Sequence, residues 1–288
     1  MIVKEALSYA RERLEPITEV AGLEAQWLLE WVLKENKIFL MINDNKMLTD
    51  AEQRQFEEAV LRRSLNEPLQ YIIGTQEFMG LEFAVTPEVL IPRGDTECLV
   101  ELIIEQYQSA AETLEVLDLG SGSGAIGVSI AYHLKRAHVT CVDLSEGAVA
   151  MTRKNAATLL AADFTKRFQA VHADMFDYLE ALPSSSQDLI LSNPPYIPSA
   201  DIETLQTEVR CHEPRTALDG GIDGLDYYRR LVKEAKDKLK SSAWMLFEVG
   251  HDQAELVKQL FLDDGGYEGI ECYRDLQGVL RMVGAHKK

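Results

Sequence analysis

The sequence predicts an α/β domain built on a parallel sheet, preceded by a small helical domain, with a short β-hairpin joining the two. From about residue 114 onward, apolar runs of strand length alternate with stretches of helical periodicity, the pattern of a sheet covered by helices. Residues 1 to about 75 show helical spacing, whereas 76–96 changes to short apolar runs around glycine. At 288 residues and 46% hydrophobic content, the chain can fill one large core and one small one. The expected division is a helical domain over 1–75, a hairpin linker over 76–96 and the α/β domain over 97–288.

In the helical region Leu28, Trp31 and Val32 form a stripe on one helix. Thr49-Asp50-Ala51-Glu52 is a capping-box start, followed at helical spacing by Phe56, Ala59 and Val60. Both stripes are read as core. The run Glu77-Phe78-Met79-Gly80-Leu81-Glu82-Phe83-Ala84-Val85 reads as the hairpin and leads into Ile91-Pro92-Arg93-Gly94-Asp95-Thr96-Glu97. There Arg93 and Glu97 either position a neighbouring loop or pair with each other, and pairing is the preferred reading. Strands are expected at 115–119, 138–143, 168–172 and 188–192. A strand at 243–249, a helix to about 262, and strands at 269–273 and 279–283 complete the sheet.

The first of these strands ends in Asp118-Leu119-Gly120-Ser121-Gly122-Ser123-Gly124, and residues 124–131 then open a helix. Glycines at such a turn take up positive φ and let a ligand approach the backbone. Gly122, Gly124 and Gly127 also satisfy the spacing of a dinucleotide fingerprint, so the glycines alone leave the ligand open. Asp118 would repel a pyrophosphate and attract the cationic amino group of S-adenosylmethionine. Asp143, about twenty residues beyond the turn, is placed to accept from ribose hydroxyls, or else to cap the helix that begins at Leu144-Ser145. Asp174 is placed to meet an adenine amino group, with Met175 or Phe176 flanking the ring or filling the core.

Asn193-Pro194-Pro195-Tyr196 stands at the end of the 188–192 strand, about seventy residues beyond the glycine turn. Paired prolines make a stiff turn with carbonyl acceptors and no competing N–H, and the residue before them is pushed into extended geometry. An amide or exocyclic amino nitrogen is a poor nucleophile, because its lone pair is delocalised. If the Asn193 side-chain oxygen and the Pro194 carbonyl each accept one of its N–H groups, the lone pair develops toward an electrophilic methyl group. Tyr196 would flank the flat substrate. Such catalysis rests on orientation and desolvation and needs no strong base.

The net charge of −18 repels phosphate backbones and suits a basic protein partner better than nucleic acid. No apolar run approaches the length of a membrane span, and the charged first fifteen residues do not read as a signal peptide. The four cysteines at 98, 141, 211 and 272 show no C-x-x-C spacing and read as free thiols of a cytoplasmic protein. Histidines are equally scattered, and no metal site is expected.

Taken in order, Phe78-Met79-Gly80-Leu81, Leu90-Ile91-Pro92-Arg93, Asp95-Thr96-Glu97, the glycine turn, Asn193-Pro194-Pro195-Tyr196, Glu213-Pro214 and Asp223-Gly224-Leu225 resemble the bacterial release factor glutamine methyltransferases. The likeness spans nearly the whole chain. It implies a Rossmann-like class I methyltransferase domain that binds S-adenosylmethionine through Gly120, Ser121, Gly122, Ser123, Gly124 and Asp143, with Met175 and Asn193 beside it. An aromatic residue often stands in the place of Met175 in that family, and a proline in the place of Gly94. It further implies that Asn193, Pro194, Pro195 and Tyr196 bind the glutamine of the Gly-Gly-Gln loop in class I peptide chain release factors. Amino-directed DNA and RNA methyltransferases share the tetrapeptide, so methylation of a flipped base is the alternative. An NAD-dependent oxidoreductase or a noncatalytic binding module would share only the glycine turn.

Overall fold

The computed structural model describes residues 1–109, 111–160 and 164–288. These fall into two units, Met1–Thr75 with Gln206–His212, and Gln76–Leu205 with Glu213–Lys288.

The first unit holds α1 (Val3–Leu14), α2 (Ala21–Leu33), α3 (Lys37–Ile42), α4 (Asp50–Ser64) and α5 (Leu69–Ile73). Leu14, Leu28, Leu29, Phe56 and Val60 are fully buried at its centre. Full burial of a Leu or Phe side chain contributes about 1.5–3 kcal/mol. The expected capping box starts α4: the Thr49 hydroxyl accepts from the Glu52 amide, and the Glu52 carboxylate accepts from the Thr49 amide at 2.7 Å. A short helix between the two halves of the other unit's sequence, Thr207–His212, also belongs here. Its Glu208 lies 3.2 Å from Arg63, whose buried guanidinium already grips Glu24 at 2.7 and 3.2 Å. Removing one partner of such a buried pair strands the other's charge, which costs roughly 3–5 kcal/mol.

The second unit begins with a hairpin of β1 (Thr75–Phe78) and β2 (Leu81–Ala84). Met79 and Gly80 between them both take positive φ, 54° and 72°, as a two-residue hairpin turn with the twist of its strands requires. Methionine is a poor residue for that conformation. Carboxylates pin the turn: Glu97 accepts from the Met79 amide at 2.7 Å, and Glu77 accepts from the Gly80 amide at 2.6 Å. Phe78 and Phe83 meet edge-to-face at 6.0 Å inside the core.

Next come α6 (Gly94–Tyr107), β3 (Leu114–Leu119), α7 (Ala125–His133), β4 (Ala137–Asp143), α8 (Glu146–Leu159), β5 (Phe168–His172), α9 (Met175–Ala181) and β6 (Gln187–Ser192). After Thr207–His212, which is α10, follow α11 (Asp226–Glu234), β7 (Leu239–Glu248), α12 (Ala254–Asp264), β8 (Tyr267–Arg274) and β9 (Leu280–Lys287). The sheet order is β5-β4-β3-β6-β7-β9-β8. Neighbours from β5 to β7 are parallel, but β9 runs antiparallel to both β7 and β8. The sheet is therefore mixed and not wholly parallel as expected. Residues 275–279 are too short a connection for a crossover, so β8 and β9 can pair only as a hairpin.

Apolar layers cover both faces. One joins Leu99, Val128 and Ile130 of α6 and α7 to Leu114 and Val116 of β3; the other joins Tyr228 and Phe261 of α11 and α12 to Leu117, Leu119 and Phe247. Chain order reverses on either side of β3, since β4 and β5 continue one way and β6 and β7 the other. In such a sheet a crevice opens beyond the carboxyl ends of the strands at the reversal. Leu119 stands opposite both Val142 and Ser192, so the glycine turn, Asp143 and Asn193 all leave the sheet at that edge.

Candidate active site

The turn after β3 is held mainly by its own surroundings. The amides of Gly120 and Ser121 both donate to the Val142 carbonyl at 2.8 and 3.2 Å. Gly122 donates to Asp143 Oδ2 at 2.8 Å, and Gly124 to the Ser121 carbonyl at 2.8 Å. Four donors that a pyrophosphate would need are already engaged, which disfavours a dinucleotide here.

Asp118 does not face the ligand crevice. Side chains alternate along β3, so Asp118 shares a face with Leu114 and Val116, beneath α7. Gly124, the residue before α7, has no side chain to cap the helix, and Asp118 Oδ2 accepts the Gly127 amide at 3.0 Å instead. A Cβ on Gly127 would lie 2.3 Å from Cys141 Sγ, so that glycine serves close helix–strand packing. Burial pushes the Asp118 carboxyl up to about 7, against the pull of the Gly127 amide, and its Oδ1 has no partner.

A cavity of about 440 Å³ opens beyond the strand ends. Gly120, Gly122, Asp143, Met175, Asn193 and Pro195 line it, together with Asp174. Of the other expected site residues, Ser121, Ser123, Gly124, Pro194 and Tyr196 are not in its wall. Ser121 and Ser123 are buried. The cavity also takes Leu90 of the Leu90-Ile91-Pro92-Arg93 motif, and Glu88, Thr216, Asp219 and Tyr227, which carried no signal in the sequence. Four carboxylates, from Glu88, Asp143, Asp174 and Asp219, lie in this wall, and no Lys, Arg or His side chain does among the described residues.

Each of three carboxylates is fixed in place. Asp143 Oδ1 accepts the Ser145 amide at 2.9 Å while Oδ2 holds Gly122; burial raises its carboxyl above the usual range although these bonds oppose the shift. The N-cap of α8 is Ser145 itself, whose hydroxyl accepts the Ala148 amide. Asp174 Oδ1 caps α9 through the amides of Phe176 and Asp177 at 2.8 and 3.3 Å. The Ser199 hydroxyl and the Gly221 amide hold the Asp219 carboxyl below the usual range. Met175 lies over the glycine turn, with its Cε 3.6 Å from where a Cβ of Gly120 would sit. Phe176 belongs to the core, stacked on Tyr227 at 6.2 Å and covered by the Arg230 guanidinium.

Distant parts of the chain hold the tetrapeptide. The Ser192 hydroxyl ties the ends of β6 and β3 together by donating to the Leu119 carbonyl at 2.6 Å. Asn193 Nδ2 faces Thr96 Oγ1 at 3.5 Å. Gln253 Nε2 donates to the Tyr196 carbonyl at 2.8 Å. A Cβ on Gly220 would come within 2.7 Å of Tyr196 Cα, and one on Gly224 within 2.2 Å of the Tyr196 carbonyl oxygen. Two glycines thus let neighbouring backbone lie directly on the turn. Burial pushes the Tyr196 hydroxyl up to about 12, reinforced by the nearby Glu248, so the phenol is neutral. Arg93 and Glu97 do not pair with each other. Arg93 bonds Glu213 at 2.5 Å, and Glu97 holds the hairpin turn.

Among the described residues no group of three or more His, Cys, Asp or Glu is arranged to hold a metal, and no helix is long and apolar enough to cross a membrane. The seven-stranded sheet with its antiparallel end and a crevice at the carboxyl edge defines a class I methyltransferase fold. A methyltransferase from Pyrococcus furiosus shares that fold at TM-score 0.50 and 15% identity, covering 83% of this chain and 99% of that one. Residues 95–221 match the model of the methyltransferase small domain, and residues 5–74 that of the PrmC N-terminal domain. The release factor glutamine methyltransferase of Geobacter sulfurreducens is 44% identical over 98% of this chain and 95% of its own length. That of Moorella thermoacetica is 38% identical over 100% and 99%. The chain belongs to the release factor glutamine methyltransferase family, and its methyltransferase domain implies S-adenosylmethionine as the methyl donor.

Proposed function

We propose that this protein, in the cytoplasm, transfers the methyl group of S-adenosylmethionine to the side-chain amide nitrogen of the glutamine in the Gly-Gly-Gln motif of class I peptide chain release factors. The observation that carries the reading is a cavity lined by carboxylates, with no basic side chain among the described residues and with Asn193 and Pro195 in the same wall. S-adenosylmethionine supplies an electrophilic methyl group on a cationic sulfonium. The carboxylates of Glu88, Asp143, Asp174 and Asp219 favour a cation there and disfavour a pyrophosphate.

Asp143 is held by the Gly122 and Ser145 amides and accepts from the ribose hydroxyls. Asp174, with Oδ1 engaged in its cap, meets the adenine amino group through Oδ2. Met175 lies against the ring where a relative would use an aromatic side chain. Gly120 and Gly122 form the floor beneath the donor, and Ser121, Ser123 and Gly124 shape the turn that carries them. On the acceptor side, the Asn193 side-chain oxygen and the Pro194 carbonyl take the two amide hydrogens of the glutamine, and Pro195 and Tyr196 flank its stem. Orientation of that nitrogen in a desolvated site is the source of catalysis, so no strong base is needed.

The test is transfer of a labelled methyl group from S-adenosylmethionine to a purified class I release factor, beside the same factor with its loop glutamine changed to alanine. Label only on the glutamine form supports the reading. Equal label on both forms, or none on either while the cofactor still binds, contradicts it. In a thermal-shift series S-adenosylmethionine should raise the melting temperature and NAD should not.

A further inference from the structure

Asn193 presents a choice that its own side chain cannot make. A carboxamide has a donor end and an acceptor end of nearly the same shape, and the proposed reading requires the acceptor end to face the glutamine nitrogen. The Nδ2 end faces Thr96 Oγ1 at 3.5 Å. A threonine hydroxyl both donates and accepts, so Thr96 alone would tolerate either orientation.

The group behind Thr96 is Glu248. Ser192 of β6 pairs with Phe247 of β7, so Asn193 and Glu248 leave neighbouring parallel strands at the same level. Glu248 is 3% exposed and Thr96, in the first turn of α6, is 5% exposed. The Thr96 hydroxyl and the Asn193 amide both lie against the Glu248 carboxyl and stabilise its charged form, while Oε2 has no hydrogen-bond partner. The Tyr228 hydroxyl fixes the backbone by donating to the Glu248 carbonyl at 2.7 Å. A carboxylate only accepts. It draws the Thr96 hydrogen toward itself, which leaves the Thr96 oxygen to accept from Nδ2.

We infer that Glu248 is a positioning residue for the transfer, holding the Asn193 amide nitrogen toward the protein both directly and through Thr96, and thereby turning the Asn193 oxygen toward the acceptor. The inference rests on the acceptor role proposed above for Asn193. Other charges around Glu248 are Arg281 of β9, which favours its ionised form, and Asp95 of α6, which opposes it; Arg281 is itself shared between Asp95 at 3.2 Å and Asp275 at 3.3 Å. Tyr196 and Tyr228 also face Glu248, and both hydroxyls are pushed up by burial and remain neutral. Burial moves the Glu248 carboxyl up to about 7, so its charge forms as pH rises through neutrality.

The variant that tests this is Glu248→Gln, which keeps the shape, removes a buried charge and restores a group able to donate to Thr96. Side-chain amide resonances of Asn193, identified by their loss in Asn193→Ala, are followed by NMR across the neutral range in the parent and in Glu248→Gln. They should titrate near pH 7 in the parent and stay fixed in the variant. Turnover with a release factor should rise through the same inflection in the parent. In the variant it should be pH-independent and about tenfold lower at saturating cofactor, as expected for a misoriented group. Cofactor affinity and melting temperature at pH above 8 should not fall, which separates positioning from scaffolding. Thr96→Val should reproduce part of the loss, and Thr96→Ser should keep the parent turnover. A parent amide that does not titrate, or a titration that persists in Glu248→Gln, overturns the inference. A parent that methylates no release factor overturns the substrate reading instead, and the amide titration still decides whether Glu248 orients Asn193.

Discussion

The glycine turn after β3 and the Asn-Pro-Pro-Tyr segment after β6 leave adjacent strands at one edge, yet they are held in different ways. The turn is closed from within and from one adjoining strand: Ser121 of the turn and Val142 and Asp143 at the end of β4 answer its amides. The tetrapeptide is held by Thr96, Gly220, Gly224 and Gln253, drawn from three other parts of the chain. On the proposed reading, the difference follows from what each end handles. A donor of fixed shape can be met by a cradle closed from one adjoining strand, whereas a nitrogen that must be aimed needs a side chain locked from several directions.

Breaking the acceptor end should have the largest effect. On the proposed reading Asn193→Ala removes an acceptor for the reacting nitrogen, and turnover should fall about 10²–10³-fold, the scale for loss of one preorganised hydrogen-bonding group. Single-turnover measurements at saturating cofactor check this.

The next effect concerns Asp118, which belongs to the scaffold beneath the donor end. Its folded carboxyl at about 7 stands above its ordinary value of 3.8, so the folded state binds the proton more tightly. The stability it contributes is complete below the unfolded value and is lost as pH rises through about 7. Each tenfold gain in proton affinity on folding is worth about 1.4 kcal/mol, which brings the whole contribution to roughly 4 kcal/mol. Asp118→Asn keeps an acceptor for Gly127 without titrating, so urea denaturation at pH 5 and pH 8 should show a smaller loss in the variant, by about 2–3 kcal/mol. Its affinity for S-adenosylmethionine should be unchanged; a large loss would mean that Asp118 does meet the ligand.

Gly224→Ala sharpens the comparison from a distance. The residue sits at φ +75° and its Cβ would press on the Tyr196 carbonyl oxygen. Stability should drop by about 1–3 kcal/mol, and turnover should drop with little change in cofactor affinity. The smallest expected effect is at the donor end, where Asp143→Ala should weaken cofactor binding about tenfold, the scale of one charge-assisted hydrogen bond. Turnover at saturation should change little.

These two ends also differ in how well the sequence displays them. The strand–turn–helix around Gly120 to Gly124 is a local pattern, and its reading extended to Asp143, Asp174 and Met175 because successive strand ends meet at one edge. Asn193 stood out because two prolines follow it after an apolar run, and it does lie in the cavity wall. Asp118 was misplaced although the alternation of Leu114, Val116 and Leu117 along β3 already assigns it to the face under α7. Glu88, Asp219 and Tyr227 reach the cavity from irregular segments or a helix end, where no periodicity marks a functional side. Glu248 reads as one polar residue closing an apolar strand, and only the pairing of β6 with β7 shows that it stands beside Asn193. The antiparallel end of the sheet was hidden for a similar reason: strand periodicity is the same in either direction.

The central claim is that donor and acceptor are handled by separate ends of one cavity. Its most direct test measures two quantities on the same preparations of Asn193→Ala and Asp143→Ala: the calorimetric dissociation constant for S-adenosylmethionine, and the single-turnover rate on a release factor at saturating cofactor. The predicted result is crossed, with Asn193→Ala losing rate and keeping affinity while Asp143→Ala loses affinity and keeps rate. Parallel losses of both quantities in both variants would contradict the division.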